Sequence, residues 1–265
     1  MVKLGESMNE FGEAMRGWRK FRGLSQLKLS LSANISSKHV SFLETGRSQP
    51  SREMIIQLSN SLDIPLAERN ILLKAAGYAD AYSRMSIDQN EMLAVRSALE
   101  LMLDSHAPYP ALVLDWRWNI KMANVGFQKI SNIVRNAQPN FPDTCNIVEL
   151  IFDPDGYRPY IENWEEVASV LIGRIQREKR VRRDDQLTLL EDIKKYPNLP
   201  SVWSSHDLED KSQPMIPVMI RVGDIRLRLF SALTSFGTAI DITAQELFIE
   251  QYFPIDEGTK DFFSV

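Results

Sequence analysis

The chain has 265 residues and a formal net charge of −4, with 44% hydrophobic and 25% charged residues. This is the composition of a globular protein that is long enough for two domains. The single cysteine, Cys145, excludes an internal disulfide framework, and no apolar run approaches the ~18 residues that a membrane-spanning helix needs. We therefore expect a cytoplasmic protein that does not enter membranes.

Charge is distributed unevenly along the chain. Residues 1–82 have a net charge of +3, whereas the remaining 183 residues have a net charge of −7. Within the first part, the window Arg16–Arg52 holds eight Lys or Arg residues and one acid, Glu44. A basic window in an acidic protein indicates a surface that binds phosphates. A solvated basic face without a partner is the alternative.

The first 77 residues predict five short helices. Phe11, Met15 and Trp18 recur at helical spacing, and a glycine follows this first helix. Serines placed before the second and third helices predict N-caps. Leu27, Leu29 and Leu31 of the second helix are expected on the core side. The predicted boundaries are a stop at Gly23, helices over Gln26 to about Ser32 and Ser37–Glu44 with N-caps Ser25 and Ser36, and helices opened by Pro50-Ser51 and by Pro65.

This order of helices resembles the XRE family of phage-repressor-like helix-turn-helix regulators. The resemblance rests on "RGLSQ", "ISSKHVSFLETGRSQPS" and "LKAAGY" and covers roughly residues 9–78. It implies an all-α, lambda-repressor-like DNA-binding domain, which we place at residues 1–80. It also implies a double-stranded DNA partner, and regulators of this kind read pseudo-palindromic operators as dimers.

The same resemblance implies roles for individual residues. Arg19 and Glu44 match a buried ion pair that ties the first helix to the recognition helix. Lys38 is the expected reader of a guanine edge, and Phe42 either packs on a thymine methyl or lies in the core. The complete set of expected DNA contacts is Gln26, Ser36, Ser37, Lys38, His39, Ser41, Phe42, Arg47 and Arg52.

Beyond residue 80 the pattern changes to mixed helices and strands. Residues 81–107 predict a linker and a connecting helix over Asp88–Ser105. An antiparallel sheet is expected to follow, with Gly223-Asp224 as a hairpin turn. The predicted strands are Ala111–Asp115, Trp118–Met122, Gln213–Val222, Ile225–Ser235 and a short one at Thr238–Ile242. The predicted helices are Asn124–Val134, Trp164 to about Val181 and Asp184–Tyr196.

The later motifs resemble the ligand-binding domain of MmyB-like transcription regulators. They are "ALVLDWRWNIKMAN", "FDPDGYRPYIENWEEVA", "GRIQREKR" and "LRLFSALTSFGTAIDITAQELFIEQYFPIDEGT". The resemblance implies a PAS-like α/β sensor over residues 108–265, so the whole chain is expected to be α+β. It also implies a small, mostly apolar, fatty-acid-like ligand and no other cofactor.

Aromatic residues and a few polar residues of this domain could line an apolar pocket. Arg158 would suit a carboxylate, although it could instead pair with Asp153 or Asp155. An aromatic residue in a domain of this size more often belongs to an ordinary core. The candidate ligand residues are Trp116, Trp118, Asn124, Phe127, Arg158, Tyr160, Asn163, Trp164, His206 and Phe230.

Catalytic and metal-binding patterns are weak. The three histidines lie far apart, and "FDPDG" indicates a turn more than a calcium loop. The basic run Arg174–Arg183 is interrupted by acids and is interpreted as a solvated helix face. We therefore expect no enzyme and no metal site. The favoured function is a ligand-responsive DNA-binding regulator. The alternative is a DNA-binding regulator whose C-terminal domain docks a protein partner and has no pocket.

Overall fold

The computed structural model describes residues 4–179, 186–200, 216–237 and 239–264. The chain divides into two compact units. The first comprises Met1–Ser86 and a later segment, Gly237–Gln245, and the second comprises Ile87–Phe236 and Glu246–Val265. No helix within the described ranges is long and apolar enough to cross a membrane.

The first unit contains the five expected helices. Ser25, Ser36 and Ser51 each accept a hydrogen bond from the backbone N–H three residues further on, which is the geometry of an N-cap. Gly23, at φ 64°, follows the first helix as predicted. The helices are α1 (Leu4–Phe21), α2 (Gln26–Ser32), α3 (Ser37–Glu44), α4 (Arg52–Ser61) and α5 (Leu66–Ala75).

The expectation for the core side of α2 is wrong for two of its three leucines. Leu29 is fully buried, but Leu27 is 60% exposed and Leu31 is 73% exposed. Residues two apart on a helix point in very different directions, because each residue turns the helix by about 100°. Alternation with a period of two would bury one face of a strand, not of a helix.

The expected strand at Thr238–Ile242 is also not found: Thr238 lies outside the described residues, and the chain that follows enters a short helix, α11 (Ile242–Glu246). Asp241 begins this helix by accepting hydrogen bonds from the backbone N–H groups of Thr243 (2.8 Å) and Ala244 (3.3 Å). A carboxylate that caps a helix competes with strand pairing for these N–H groups.

The second unit is built on one antiparallel sheet. Its strand order is β2-β1-β5-β4-β3, and β5 lies in the middle, paired with β1 on one side and β4 on the other. The sequence did not predict β5. The strands are β1 (Ala111–Leu114), β2 (Ile120–Ala123), β3 (Val218–Val222), β4 (Ile225–Ser235) and β5 (Phe248–Pro254).

Helices cover both faces of this sheet. On one face, Leu99 and Leu103 of α6 pack with Val113 and Ile249. On the other face, the alternate residues of the strands pack with α7, α8 and α9 in a larger core. The remaining helices are α6 (Leu93–His106, preceded by a 3-10 turn at Asn90–Met92), α7 (Val125–Ala137), α8 (Ile147–Phe152), α9 (Trp164–Lys179), α10 (Gln186–Ile193) and α12 (Glu257–Ser264).

Candidate DNA-binding surface and ligand cavity

The recognition helix α3 starts at a well-formed cap. The Ser36 hydroxyl accepts a hydrogen bond from the backbone N–H of His39 at 3.1 Å. Ser37 and Lys38 are exposed, whereas His39, Ser41 and Phe42 are half-buried. The Lys38 ammonium lies 5.5 Å from the centre of the Phe42 ring. The side chains expected to face base edges therefore lie on one stretch of α3, where each of them is at least partly exposed.

A buried ion pair fixes the other end of α3. Arg19 donates from Nε to Glu44 Oε1 at 2.5 Å and from a terminal nitrogen to Glu44 Oε2 at 2.9 Å. The Glu44 side chain is fully buried and that of Arg19 is 10% exposed. Burial by itself would raise the pKa of Glu44, but hydrogen bonds from Arg19 and Gln26 and the charges of Arg19 and Arg16 outweigh it. The pKa of Glu44 is therefore lowered.

Gln26 joins this buried network. Its side-chain nitrogen donates to Glu44 Oε2 at 2.8 Å, and Arg16 donates to the Glu44 backbone carbonyl at 2.8 Å. The expected phosphate contact of Gln26 would therefore have to use its remaining polar atoms. Arg16 and Arg19 of α1 and Gln26 of α2 all donate hydrogen bonds to Glu44, the last residue of α3. These contacts set the position of α3 relative to α1 and α2.

Close backbone packing adds to this fixation. A Cβ placed on Gly12 of α1 would lie 2.7 Å from the carbonyl oxygen of Leu43 and 2.9 Å from that of Glu44. Backbone atoms cannot move aside as a flexible side chain can, so only glycine allows α1 to approach the end of α3 this closely.

Two exposed arginines flank the loop after α3. The backbone N–H of Arg47 donates to the carbonyl of Phe42 at 2.8 Å, and the preceding Gly46 has φ 68°. Arg52 is the first residue of α4, just after its cap Ser51. Both arginines are exposed, so their charges are accessible to a phosphate backbone.

The second unit contains a cavity of about 240 Å³. It lies on the face of the sheet that is covered by α7, α8 and α9. Most of its wall is aliphatic or aromatic, which favours an apolar ligand. Three of the expected ligand residues, Trp118, Phe127 and Tyr160, line it. The rest of the wall is formed mainly by Ile130, Val134, Ile147, Ile151, Tyr157, Ile161, Val167, Val170, Leu171, Val218, Ile220, Leu229 and Leu233.

Beside the phenols of Tyr157 and Tyr160, a second group of polar side chains lines the cavity: Arg174, Ser231, Glu250 and Tyr252. Burial raises the pKa of Glu250, against the lowering effects of the Arg174 charge and of hydrogen bonds with Ser231 and Tyr252. Burial, together with the neighbouring Glu250, raises the pKa of Tyr252 well above its ordinary value. The cavity thus combines an apolar wall with a small polar cluster.

Trp118 differs from the other wall residues. It is 1% exposed, and among the described residues its indole N–H has no hydrogen-bond partner. Its backbone is in the left-handed region, at φ 68°, which a bulky side chain rarely adopts. The Arg174 guanidinium carbon lies 4.4 Å from the centre of its ring.

Six other expected ligand residues do not line this cavity and have structural contacts instead. Asn124 caps α7 and bridges backbone groups of Leu103, Tyr109 and Ala111. Arg158 donates to the carbonyls of Pro197 and Asn198.

Asn163 donates to the Pro217 carbonyl and accepts from the backbone N–H of Met219, and the Trp164 indole donates to the Ile151 carbonyl. Phe230 stacks on Phe253, and Trp116 lies beneath the Arg117 guanidinium. His206 lies outside the described residues.

Sequence reasoning named Tyr160 but missed Arg174, Ser231, Glu250 and Tyr252. For Glu250 and Tyr252 a signal existed, because "FIEQYFP" places them two apart in an apolar run, as on one face of a strand. No comparable signal singles out Arg174, which lies in a run of charged residues that resembles a solvated helix face.

The fold and the two sites define a helix-turn-helix regulator joined to a ligand-binding domain, and comparison with known families agrees. Residues 95–264 match the family described as the MmyB-like transcription regulator ligand binding domain, and residues 15–69 match a helix-turn-helix family. The chain belongs to the MmyB-like transcription regulator family. Both matched families are regulators and not enzymes.

Solved structures give further matches. The restriction-modification controller protein C.AhdI from Aeromonas hydrophila is 31% identical, with 23% of this chain and 94% of that chain covered and a TM-score of 0.23. Two structures of the clp gene regulator ClgR from Corynebacterium glutamicum also match. One is 28% identical, covering 27% of this chain and 88% of that chain, with a TM-score of 0.24. The other is 24% identical, covering 38% and 95%, also with a TM-score of 0.24. No curated protein matches the chain.

Proposed function

We propose that this protein is a cytoplasmic, ligand-responsive transcription regulator that binds a pseudo-palindromic operator as a homodimer. A small, mostly apolar, fatty-acid-like molecule binds in the cavity of the second unit and changes the affinity for the operator. The observation that carries the proposal is the cavity itself, because an ordinary core is packed to a density that leaves few voids larger than a water molecule.

The DNA-binding part of the proposal rests on α3. Its exposed stretch supplies the side chains that would face base edges in the major groove: Ser37, Lys38, His39, Ser41 and Phe42. Phosphate contacts fall to Gln26, Ser36, Arg47 and Arg52. In a dimer of this class the two half-sites lie about one helical turn, roughly 34–36 Å, apart.

The chain path supports coupling between ligand and operator. The last paired residues of β4 and β5 are Ser235 and Phe248, so the connection between the two strands leaves the sheet and returns to it at one point. This connection has twelve residues, whereas hairpin loops usually have about 2–5. Part of this connection, Gly237–Gln245, belongs to the first unit. Its two flanking strands carry cavity residues.

Hydrogen bonds hold this connection in the first unit. The Gln245 side-chain oxygen accepts from the backbone N–H of Leu66, the first residue of α5, at 2.7 Å. The Asp241 carboxylate accepts from the Ser83 hydroxyl at 2.7 Å. A change at the ends of β4 and β5 would therefore act on a segment that caps a helix of the DNA-binding unit.

The test uses decanoate as a probe and a DNA duplex that the protein selects from a random library. We expect saturating decanoate to change the dissociation constant for this duplex, and the duplex to change decanoate affinity by the same factor, because coupling of two binding sites is reciprocal. Native mass spectrometry of the same samples reports the dimer. Decanoate that binds without any effect on DNA affinity would contradict the regulatory part of the proposal.

A matched pair of variants separates coupling from binding. Gln245→Ala removes the acceptor for the Leu66 N–H, and we expect it to reduce the coupling while both single affinities stay close to wild type. Gln245→Glu retains an acceptor oxygen at the N-terminus of α5, where a negative charge is favourable. We expect this variant to keep the coupling.

A further inference from the structure

Helix α6 covers only part of its face of the sheet. Its buried side chains, Leu99 and Leu103, form a core with residues of β1 and β5, namely Ala111, Val113 and Ile249. Among the described residues, no member of β3 or β4 belongs to this core. These two strands continue the sheet beyond β5, so α6 leaves their side chains on this face uncovered.

The uncovered part of β4 next to α6 is uncharged. Residues directly opposite each other in a sheet share a face, and Thr234 lies opposite Ile249, a member of the α6 core. Thr234, Ala232 and Phe230 alternate with the cavity residues of β4 and therefore lie on the α6 side. Ala232 and Thr234 are exposed, and Phe230 is half-buried against Phe253, with ring centres 5.1 Å apart.

One side of α6 is uncharged as well. Residues at intervals of three and four lie on one side of a helix, and in α6 four such residues form a stripe of small and apolar side chains. Leu101, within this stripe, is 67% exposed. Contiguous apolar patches on a protein surface mark interaction sites. The stripe consists of Ala94, Ala98, Leu101 and Ser105.

This stripe faces β4. The strands β2 and β4 lie on opposite sides of the β1–β5 pair. The Leu103 carbonyl accepts a hydrogen bond at 3.1 Å from the side chain of Asn124, the residue that follows β2. Leu103 therefore marks the β2 side of α6. Leu101 is two residues away, about 200° round the helix, so it points away from β2 and toward the open strands.

The open face is positively charged at its other end. The ionisable side chains that β3 and β4 place on it are all arginines: Arg221, Arg226 and Arg228. Arg221 lies directly opposite Arg226, and like charges in this position are unfavourable. The ion pairs of Arg221 with Glu162 at 3.7 Å and of Arg228 with Asp256 at 3.9 Å are long and exposed, and such pairs stabilise little. The face therefore favours a negatively charged partner.

Helix α6 itself carries the complementary charge. Its exposed acids are Glu100 and Asp104. Glu100 is paired within the helix, with Arg96 at 3.0 Å. Asp104 lies in the last turn, where the helix dipole adds a partial negative charge. The C-terminal end of α6 thus matches the arginines of the open face.

We propose that this surface is the homodimer interface, in which α6 of a second copy lies on the open face of β3 and β4, beside the first α6. The inference rests on the proposed function, which requires a homodimer. A two-fold axis makes the contact reciprocal, so each copy supplies one helix and one open face. The stripes of the two helices pack together, and Asp104 of each copy meets the arginines of the other.

The charges also set the direction of the two helices. The ring of His106, the last residue of α6, lies 4.8 Å from that of Phe253. Phe253 is opposite Phe230, toward the arginine end of β4. Parallel helices therefore bring Asp104 of each copy to the arginine end of the other sheet, whereas antiparallel helices would bring it to the opposite end, at Thr234.

Sedimentation velocity on the full-length protein tests the apolar contact. Leu101→Lys should raise the dissociation constant of the dimer by about tenfold or more, because it places a desolvated charge in the interface, near the arginines of the other copy. Val125→Lys is the matched control. Val125 is 64% exposed at the start of α7, on the other face of the sheet, and this variant should dimerise like the wild type.

Two charge reversals test the complementarity between copies. Asp104→Arg and Arg228→Glu should each weaken the dimer, because each then brings like charges together twice. An equimolar mixture of the two variants should form the heterodimer in preference to either homodimer, since both of its contacts join opposite charges. Native mass spectrometry separates the three dimers by mass. This rescue cannot result from a folding defect in either variant.

A dimer of wild-type strength in Leu101→Lys, or a mixture without preference for the heterodimer, would overturn the interface and leave the proposed homodimer standing on another surface. A wild-type protein that stays monomeric both alone and on its selected duplex would remove the homodimer from the proposed function, and the interface with it.

Discussion

The recognition helix and the cavity use charge in opposite ways. At the end of α3, the ion pair of Arg19 and Glu44 is buried and holds α1 and α3 together. The cations that are expected to contact DNA are exposed. In the cavity, apolar residues form most of the wall, and a half-buried pair of opposite charges, Arg174 and Glu250, also lines it.

This difference separates structural from functional residues in each unit. Long-range attraction of DNA needs charges that reach water, so charges withdrawn from the surface in the first unit have a structural role. Recognition inside an apolar cavity needs a few polar groups in its wall, so half-buried residues such as Arg174 and Glu250 are candidates for function. Burial alone therefore has a different meaning in the two units.

The largest effect is expected on stability, when the buried ion pair of the first unit is broken. Glu44→Ala leaves Arg19 buried without its partner, which should reduce the free energy of unfolding by about 3–5 kcal/mol. Urea unfolding followed by circular dichroism, with hydrogen exchange at α1 and α3 to assign the transition, measures this loss. Because the pKa of Glu44 is lowered from 4.5, its contribution is present above that pH and is lost as the pH falls through the lowered value.

Glu10→Ala is the matched control for this variant. Glu10 is an exposed acid on α1, and exposed substitutions usually change stability by less than about 0.5 kcal/mol. A loss of similar size in both variants would mean that the buried ion pair has no special structural role.

A smaller effect is expected for the exposed charges. Lys38→Ala should relax the sequence preference at one base pair, by about 1–3 kcal/mol of discrimination, with little change in stability. Arg47→Ala should weaken binding to all duplexes alike and reduce the slope of log affinity against log salt by about 1. Fluorescence anisotropy with selected and single-substituted duplexes over a range of salt concentrations measures both. Unchanged selectivity of Lys38→Ala would contradict the role given to Lys38.

The same difference between the units explains what the sequence could predict. Helix caps and the glycines that end helices depend only on residues close to them in the sequence. Ser25, Ser36 and Gly23 were therefore correctly placed from the sequence alone. The ion pair of Arg19 and Glu44 came from the family resemblance. Leu27 and Leu31 were misplaced because leucine content was given more weight than the helical period.

The cavity is assembled from distant parts of the chain, and this limits prediction there. Trp118, Arg174 and Glu250 meet only because α9 covers a sheet whose central strand, β5, comes from the end of the chain. β5 itself was missed because its apolar residues fall on both faces, so it lacks clean alternation. Aromatic residues such as Trp164 and Phe230 have the composition of a pocket wall, but only tertiary packing decides which of them face the cavity.

The smallest effect is expected on the pH dependence of stability, which tests the polar cluster of the cavity at Glu250. Burial raises the pKa of Glu250 above its ordinary 4.5, so the folded protein binds this proton more tightly than the unfolded chain does. Below pH 4.5 the carboxyl is protonated in both states and adds no penalty. As the pH rises through the raised pKa, its ionisation destabilises the fold. The free energy of unfolding of the wild type minus that of Glu250→Gln should therefore fall as the pH rises from about 4 to 8.

Urea unfolding at each pH measures this difference in the free energy of unfolding. The control is Glu91→Gln, which changes an exposed acid. A difference that rises over this range would mean that pairing with Arg174 outweighs burial, and that the cavity uses charge in the same way as the first unit.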